Sequence, residues 1–449
     1  MGVGLYLSGR YPSRSRAKDP ARAWLKTVEK WFGEPLAADD FWSHFYIRPR
    51  QGVTHDDRPA LFLPVHPAGE EVEIIVPQPG RVLVTAKTST VGPGYHTALC
   101  DLADKLGRRF KIAWAPEGDG DDDSQDETGY FFHRDRAAVE DEMLLHLRTM
   151  ADVSIESFTK TGGTYHQWHM PLSPRFRAPK GEVLTPMGPR SMKWVRAVAR
   201  DPRAGLDLYP WWDDGVGAAF YRGRALCRMW TDLRWLPART PEDLDANEDV
   251  HDDLARALDA DPRVDLPWRE WAELIDILEA GEGAYWPDED HTAPVRRRAA
   301  KVPAKTPLVG YRRHPVRVDL AGPWSIEVPG GMAEEWVDGS WSAWDGARTV
   351  WVTAWTINTG PKKPTAVRTL AEMELPEGEV IHHRADGLVG KAIWTPYEED
   401  GEQLWNLKAF SAVPGKAALC NVYVPKASDR AWAMTVWKSL TARSLAFGT

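Results

Sequence analysis

The sequence predicts an α+β protein of several units, in which antiparallel sheets are packed by helices around a mostly helical middle region. Three observations carry this. The 449-residue chain exceeds the roughly 250–300 residues that one core can use. Short apolar runs bounded by Gly and Pro alternate with segments of helical period. The composition also shifts at an acidic run, 117–127, and at a basic one, 294–314. The expected organisation is an α+β domain at 1–160 carrying the acidic insertion, a mostly helical region at 161–293, a basic proline-containing linker at 294–314, and a second α/β module at 315–449.

Along the chain, Trp24, Val28, Trp31 and Phe32 form one face of a short helix ending at Gly33. Apolar runs at Leu61 to Val65, Glu71 to Val76 and Arg81 to Lys87 read as strands, the last two joined by Pro77-Gln78-Pro79-Gly80. After Gly92-Pro93-Gly94 a helix is expected, with Tyr95, Leu99, Leu102, Ala103 and Leu106 as its buried stripe and Gly107 as its stop. Phe110 to Trp114 reads as a further strand. Residues 117–127, EGDGDDDSQDE, hold seven acids and no apolar side chain, which predicts a solvated loop. Val139, Met143, Leu147 and Met150 then mark a helical face.

The middle region offers a helix at Met192 to Ala199, an acidic segment from Glu242 to Asp261, and a helix opened by Pro267 that carries Trp268, Trp271, Leu274, Ile275 and Leu278. From Pro294 to His314 there are seven Lys or Arg, no acid, and three prolines, the pattern of an extended spacer. Beyond it, strands are expected near Trp324–Val328, Val350–Thr356, Val380–His383, Val389–Thr395, Trp405–Phe410 and Ala418–Val424. Helices are expected at Thr365 to Met373 and Asp429 to Ala442. The opening PWSIEVPGG strand, the helix before three successive strands, and a last helix ending in WKSL make residues 316–445 resemble the PsbP-like or DcrB-like α/β module. That resemblance implies a sheet packed by helices and used for binding or assembly, with no catalytic motif to carry over.

The totals exclude several classes. Hydrophobic residues at 43% and charged ones at 27% supply ordinary amounts of surface to bury, so global disorder is not expected. A net charge of −9 disfavours nucleic acid, whose binders carry a basic footprint. Cys100, Cys227 and Cys420 are odd in number and form no CxxC pair, so neither a zinc ribbon nor a disulfide framework is readable and a reducing, cytoplasmic setting is expected. The start of the chain lacks the order of a signal peptide, and no run approaches the ~20 apolar residues of a membrane span. The 23 tryptophans mostly fall at amphipathic spacing, which assigns them to the core. Heavy use of Arg, Ala and Trp gives the chain a bacterial look.

Candidate chemistry is sparse. Thr85 to His96 reads as a strand, a glycine-containing loop and a helix start, where free N–H groups around Gly92 and Gly94 could receive an anion and Lys87, Thr88 or Thr90 could add side-chain donors. Neither a Walker lysine nor a GxGxxG pattern is present, so a structural turn is the stronger reading. On the helix that follows, His96 and Cys100 are four apart, the spacing at which an imidazole could activate a thiol, although cysteine is more often simply buried. His166 and His169 resemble a metal pair, yet flanking Gly162, Gly163 and Pro171 oppose the helix that would align them. Asp119, Asp121 and Asp123 start like a calcium loop, but Ser124 and Tyr130 stand where glycine and glutamate are needed. No GxSxG elbow occurs.

The reading that remains is a non-catalytic protein-binding protein needing no cofactor, with a tie to a toxin, effector or defence system as the accompanying expectation. The competing readings are an enzyme acting on a phosphate- or carboxylate-bearing small molecule at the loop before His96, and a structural subunit of a larger assembly. Oligomeric state is not legible.

Overall fold

The structure, a computed structural model, describes residues 2–442 apart from 14–16, 34–35, 37, 40, 46, 119, 121–122, 162–174, 178, 180, 282–288, 358–362 and 400. It is an α+β protein in which every strand pairing between named strands is antiparallel.

The first sheet is built on β1 (Gly4–Arg10), a strand that periodicity does not single out because Gly4, Ser8 and Gly9 dilute its pattern. After α1 (Pro20–Gly33) come β2 (Arg50–Val53), β3 (Pro59–Leu63), β4 (Val72–Ile75) and β5 (Arg81–Lys87). Then follow α2 (Pro93–Phe110), β6 (Ala113–Trp114) and β7 (Gln125–Asp126). The strand order is β2-β3-β4-β5-β1-β6, with β7 also pairing to β1. Alternation along β5 turns Val82, Val84 and Ala86 toward the main core, where Leu99 and Leu102 of α2 and Leu25 and Val28 of α1 meet them. Leu83 points the other way, into a small cluster with Ala60 and Ile75.

Next come α3 (Tyr130–His133), α4 (Arg136–Thr161), the two-residue strands β8 (Glu182–Val183) and β9 (Arg190–Ser191), and α5 (Met192–Arg200). Val139, Met143 and Leu147 of α4 pack against Val195 and Val198 of α5. The remaining middle helices are α6 (Ala218–Thr231), α7 (Pro241–Ala260), α8 (Trp268–Ala280) and α9 (Glu289–Ala299). Their buried residues, from Phe220 to Val295, join the core of the first sheet, as does Trp211 before α6.

The C-terminal part has β10 (Pro315–Asp319), β11 (Trp324–Pro329), β12 (Ala333–Val337), β13 (Ser340–Trp344) and β14 (Thr349–Thr356). It continues with α10 (Ala366–Ala371), β15 (Ile381–Ala385), β16 (Leu388–Glu399), β17 (Glu402–Val413), β18 (Lys416–Val424), α11 (Arg430–Lys438) and β19 (Thr441–Ala442). One sheet runs β10-β11-β19 and the other β12-β13-β14-β18-β17-β16-β15. Trp341, Val352, Ala409, Cys420 and Trp437 lie in their shared core.

Two expectations are corrected. The acidic segment 117–127 is not simply a solvated loop: Ser124 is fully buried and Asp126 nearly so, and Leu5 and Tyr6 of β1 pair with Asp126 and Gln125. The basic segment from 294 is not an extended spacer at its start, because 294–299 belongs to α9, Val295 is fully buried, and Arg296 bonds Asp276 at 2.6 Å and Glu279 at 2.8 Å on α8. Acids on a neighbouring helix compensate the basic run, and α9 runs on through Pro294.

A buried ion pair joins α6, α7 and the N-terminal part. Arg224 donates from Nε to Asp253 Oδ2 at 2.8 Å, from Nη2 to Oδ1 at 2.5 Å, and from Nη1 to the His44 carbonyl at 2.8 Å. Its guanidinium also lies 4.8 Å from the Phe220 ring centroid. Two planar groups meeting in this bidentate way satisfy each other inside the core. Replacing Arg224 by Met strands Asp253 and is expected to cost about 3–5 kcal/mol. Arg224→Met with Asp253→Leu should recover most of that loss, as urea denaturation of single and double variants will show.

Candidate functional site

The segment the sequence singled out begins where β5 ends and α2 starts. Gly92 adopts φ +122°, and a Cβ there would lie 2.4 Å from the Trp211 carbonyl oxygen, so only glycine lets the two backbones touch. At Gly94 a Cβ would meet the Asp213 carbonyl at 2.3 Å. The glycines therefore serve close packing against 211–213. The donors expected to hold an anion are already used: Gly94 N–H bonds the Trp212 carbonyl at 3.2 Å, Gly92 N–H the Thr88 carbonyl at 3.2 Å, and Thr90 Oγ1 the Ala68 carbonyl at 2.7 Å. The anion-binding expectation at Thr90, Gly92 and Gly94 is corrected accordingly.

His96, one turn into α2, is fully buried. Its Nδ1 lies 2.9 Å from Thr88 Oγ1, and that hydroxyl also reaches the Val3 carbonyl at 3.2 Å. On the other side, Nε2 lies 2.9 Å from Thr128 Oγ1 and 3.1 Å from Asp126 Oδ1. Asp126 further accepts the Thr128 N–H at 2.9 Å and the Phe131 N–H at 2.7 Å. Burial by itself would raise the Asp126 pKa, but the His96 ring and these N–H groups outweigh it and hold the carboxyl at about 2. Cys100 donates to Asp126 Oδ2 at 3.9 Å. Burial first, and the Asp126 carboxylate second, push its thiol well above the usual range. Cys100 is thus a buried thiol held toward its protonated form, the opposite of the thiolate a nucleophile needs.

One atom each of His96, Cys100 and Asp126 come within 4.8 Å of one another, an arrangement with the donor types of a zinc site. Hydrogen bonds saturate it, however, since both His96 nitrogens and both Asp126 oxygens already have partners. The arrangement is a hydrogen-bonded core that pins β7 and α3 to α2.

Lys87 is not brought to His96. It lines a separate open cavity of about 380 Å³ with Glu70, Glu71, Glu73, Glu127 and Tyr6, a setting dominated by carboxylates and unsuited to a phosphate. His166 and His169 lie outside the described residues. Sequence reasoning missed Asp126 and Thr128, which sat inside or beside an acidic run with no mark to separate the buried acid from its exposed neighbours.

No protein-family model matches the chain, and neither does any curated protein. A solved structure from Bacteroides thetaiotaomicron VPI-5482 aligns with 27% of this chain at 18% identity and a TM-score of 0.23. The match covers 46% of that protein, less than half its length, and carries no argument about this one.

Two outcomes test the site as a structural core. His96→Ala, leaving Asp126 buried without its ring partner, is expected to lose on the order of 3 kcal/mol and roughly 3–6 °C in Tm; an unchanged melting temperature contradicts the assignment. For Asp126 the folded pKa of about 2 lies below its ordinary value of 3.8. Its contribution, about 2 kcal/mol, is therefore fully present above the ordinary value and is lost as the pH falls through 2. Denaturation midpoints of the wild type and of Asp126→Asn should converge over that interval.

Proposed function

We propose that the chain is a non-catalytic protein-binding protein that offers the edge strand β12 to an extended segment of its partner. The observation that carries this is Trp336. Among the described residues it is the only tryptophan that stands exposed, at 52%, and its neighbour Val337 is 40% exposed. Trp336 pairs in register with Trp341, which is almost fully buried on the same sheet. β13 flanks one side of β12, and among the described residues no strand flanks the other. An uncovered strand edge presents unpaired backbone groups, and a tryptophan beside it supplies the kind of anchor that dominates protein interfaces.

The exposed end of β12 also carries Glu335 and leads into Asp338. A partner strand that complements it has an apolar side chain against Trp336 and a Lys or Arg near Glu335. The resemblance of residues 316–445 to a PsbP-like or DcrB-like binding module supports the same reading. Support also comes from the candidate catalytic groups, since His96 and Cys100 are buried in a hydrogen-bonded core.

The test compares wild type with Trp336→Lys, each purified gently from the source organism and weighed by native mass spectrometry. The wild type should carry a second protein of defined mass, and the variant should lose it with a Tm within about 2 °C of wild type, as befits an exposed site. A partner retained by the variant, or a wild type that is always alone, rejects the proposal.

A further inference from the structure

The basic segment 294–314 does more than neutralise acids. Arg296 is taken by Asp276 and Glu279. Arg313 is taken by Glu273 at 2.6 and 2.9 Å and lies 3.7 Å from the Trp235 ring centroid. Arg298 and Lys301 have a different setting. The Arg298 guanidinium lies 4.3 Å from the Trp268 ring centroid, and its Nη2 reaches the Pro262 carbonyl at 3.3 Å. Lys301 is exposed and forms no ion pair among the described residues.

Between the strap of residues 300–309 and the start of α8 runs a groove of about 600 Å³. Its walls are apolar: Leu226 from α6, Leu266 and Trp268 at the start of α8, and Val302 from the strap. Arg222, Arg298 and Lys301 bring positive charge to it. Two acids line it as well, but Glu270 is engaged by Arg269 at 2.6 Å, leaving Asp265 alone against three cations. The strap is held at its far end, where Arg269 Nη2 bonds the Pro307 carbonyl at 3.1 Å and Arg313 Nε the Val309 carbonyl at 2.7 Å. A positive groove in a chain of net charge −9 is a local arrangement against the average.

We propose that this groove binds a small amphipathic anion, an aromatic or aliphatic acid whose apolar body lies along Trp268, Leu226 and Val302 and whose acidic group meets Arg298 and Lys301. Its volume falls in the range of small-molecule sites. Apolar walls with a few convergent polar groups are what such ligands use, and a guanidinium held over an indole still has N–H groups to offer a carboxylate or sulfonate. This site is independent of the β12 edge.

The experiment titrates the full chain with 1-naphthalenesulfonate and, separately, with the neutral 1-naphthalenemethanol, following heat and tryptophan emission. The sulfonate should bind saturably at one site and at least about tenfold more tightly than the neutral analogue. Lys301→Glu should weaken the sulfonate by roughly tenfold and leave the neutral compound unchanged. Leu226→Trp, which fills the apolar wall, should weaken both, with folding of each variant checked by its Tm. No saturable binding, or binding indifferent to both substitutions, overturns the proposal. So does an acidic peptide that displaces the sulfonate at lower concentration than simple aromatic acids do, which makes the groove a peptide site.

Discussion

A buried imidazole with every nitrogen satisfied constrains the N-terminal half of this protein. His96 can be placed in the core only if its polar atoms are met, because an unmet polar group there costs more than the ring's packing returns. Thr88 meets one side and in turn bonds Val3, before β1; Asp126 and Thr128 meet the other. Asp126 then holds the Phe131 N–H, so α3 starts where the carboxylate allows it. The same helix start is wedged against residues 211–213 through Gly92 and Gly94. Residues of a catalytic type are therefore committed to joining the sheet, α2 and the middle helices.

Charge follows the same logic at the junctions between parts. Arg224 and Asp253 neutralise each other in the core. Glu334, on β12 and only slightly exposed, draws Arg175 to 2.8 Å, with Arg312 and Arg234 at 3.7 and 3.8 Å. Burial, and then the neighbouring Arg234, push the Arg312 guanidinium down to about 10, with Glu334 opposing the shift. Cations drawn from the end of α6, from 175 and from the basic segment thus converge on one carboxylate at the base of the C-terminal sheets. An acidic chain gathers its arginines where surfaces have to be joined.

Much of the architecture was legible from period and punctuation alone. The helices around Trp24 to Phe32, Tyr95 to Leu106, Met192 to Ala199 and Trp268 to Leu278, and the long strands of the last sheet, show a regular apolar stripe or alternation, and the structure has them. What escaped was set by partners remote in sequence. β1 is dilute in β-formers and exists because β5 and β7 pair with it from both sides. β12 escaped because Glu334 looks like surface until Arg175 is brought from 159 residues away. Asp126 was one acid among seven, and only the fold distinguishes the one beneath His96. The candidate site was thus legible as a place, the turn before α2, while its role was not, since saturation of donors is a three-dimensional property.

Sheet edges show why β12 stands apart. The first sheet ends on β2, four residues long, whose Arg50 bonds Glu71 at 2.9 Å, and on β6, only two residues long. Short or charged edges of this kind discourage further pairing. The last sheet ends at β15, where His382 and Arg384 stand exposed, and at β12. Only on β12 does an edge strand leave a tryptophan half uncovered, in a chain that buries or half-buries every other tryptophan described. An exposed tryptophan on an edge strand is costly to leave in water, and that local feature, set against the short or charged edges elsewhere, is what the proposed strand-binding reading rests on.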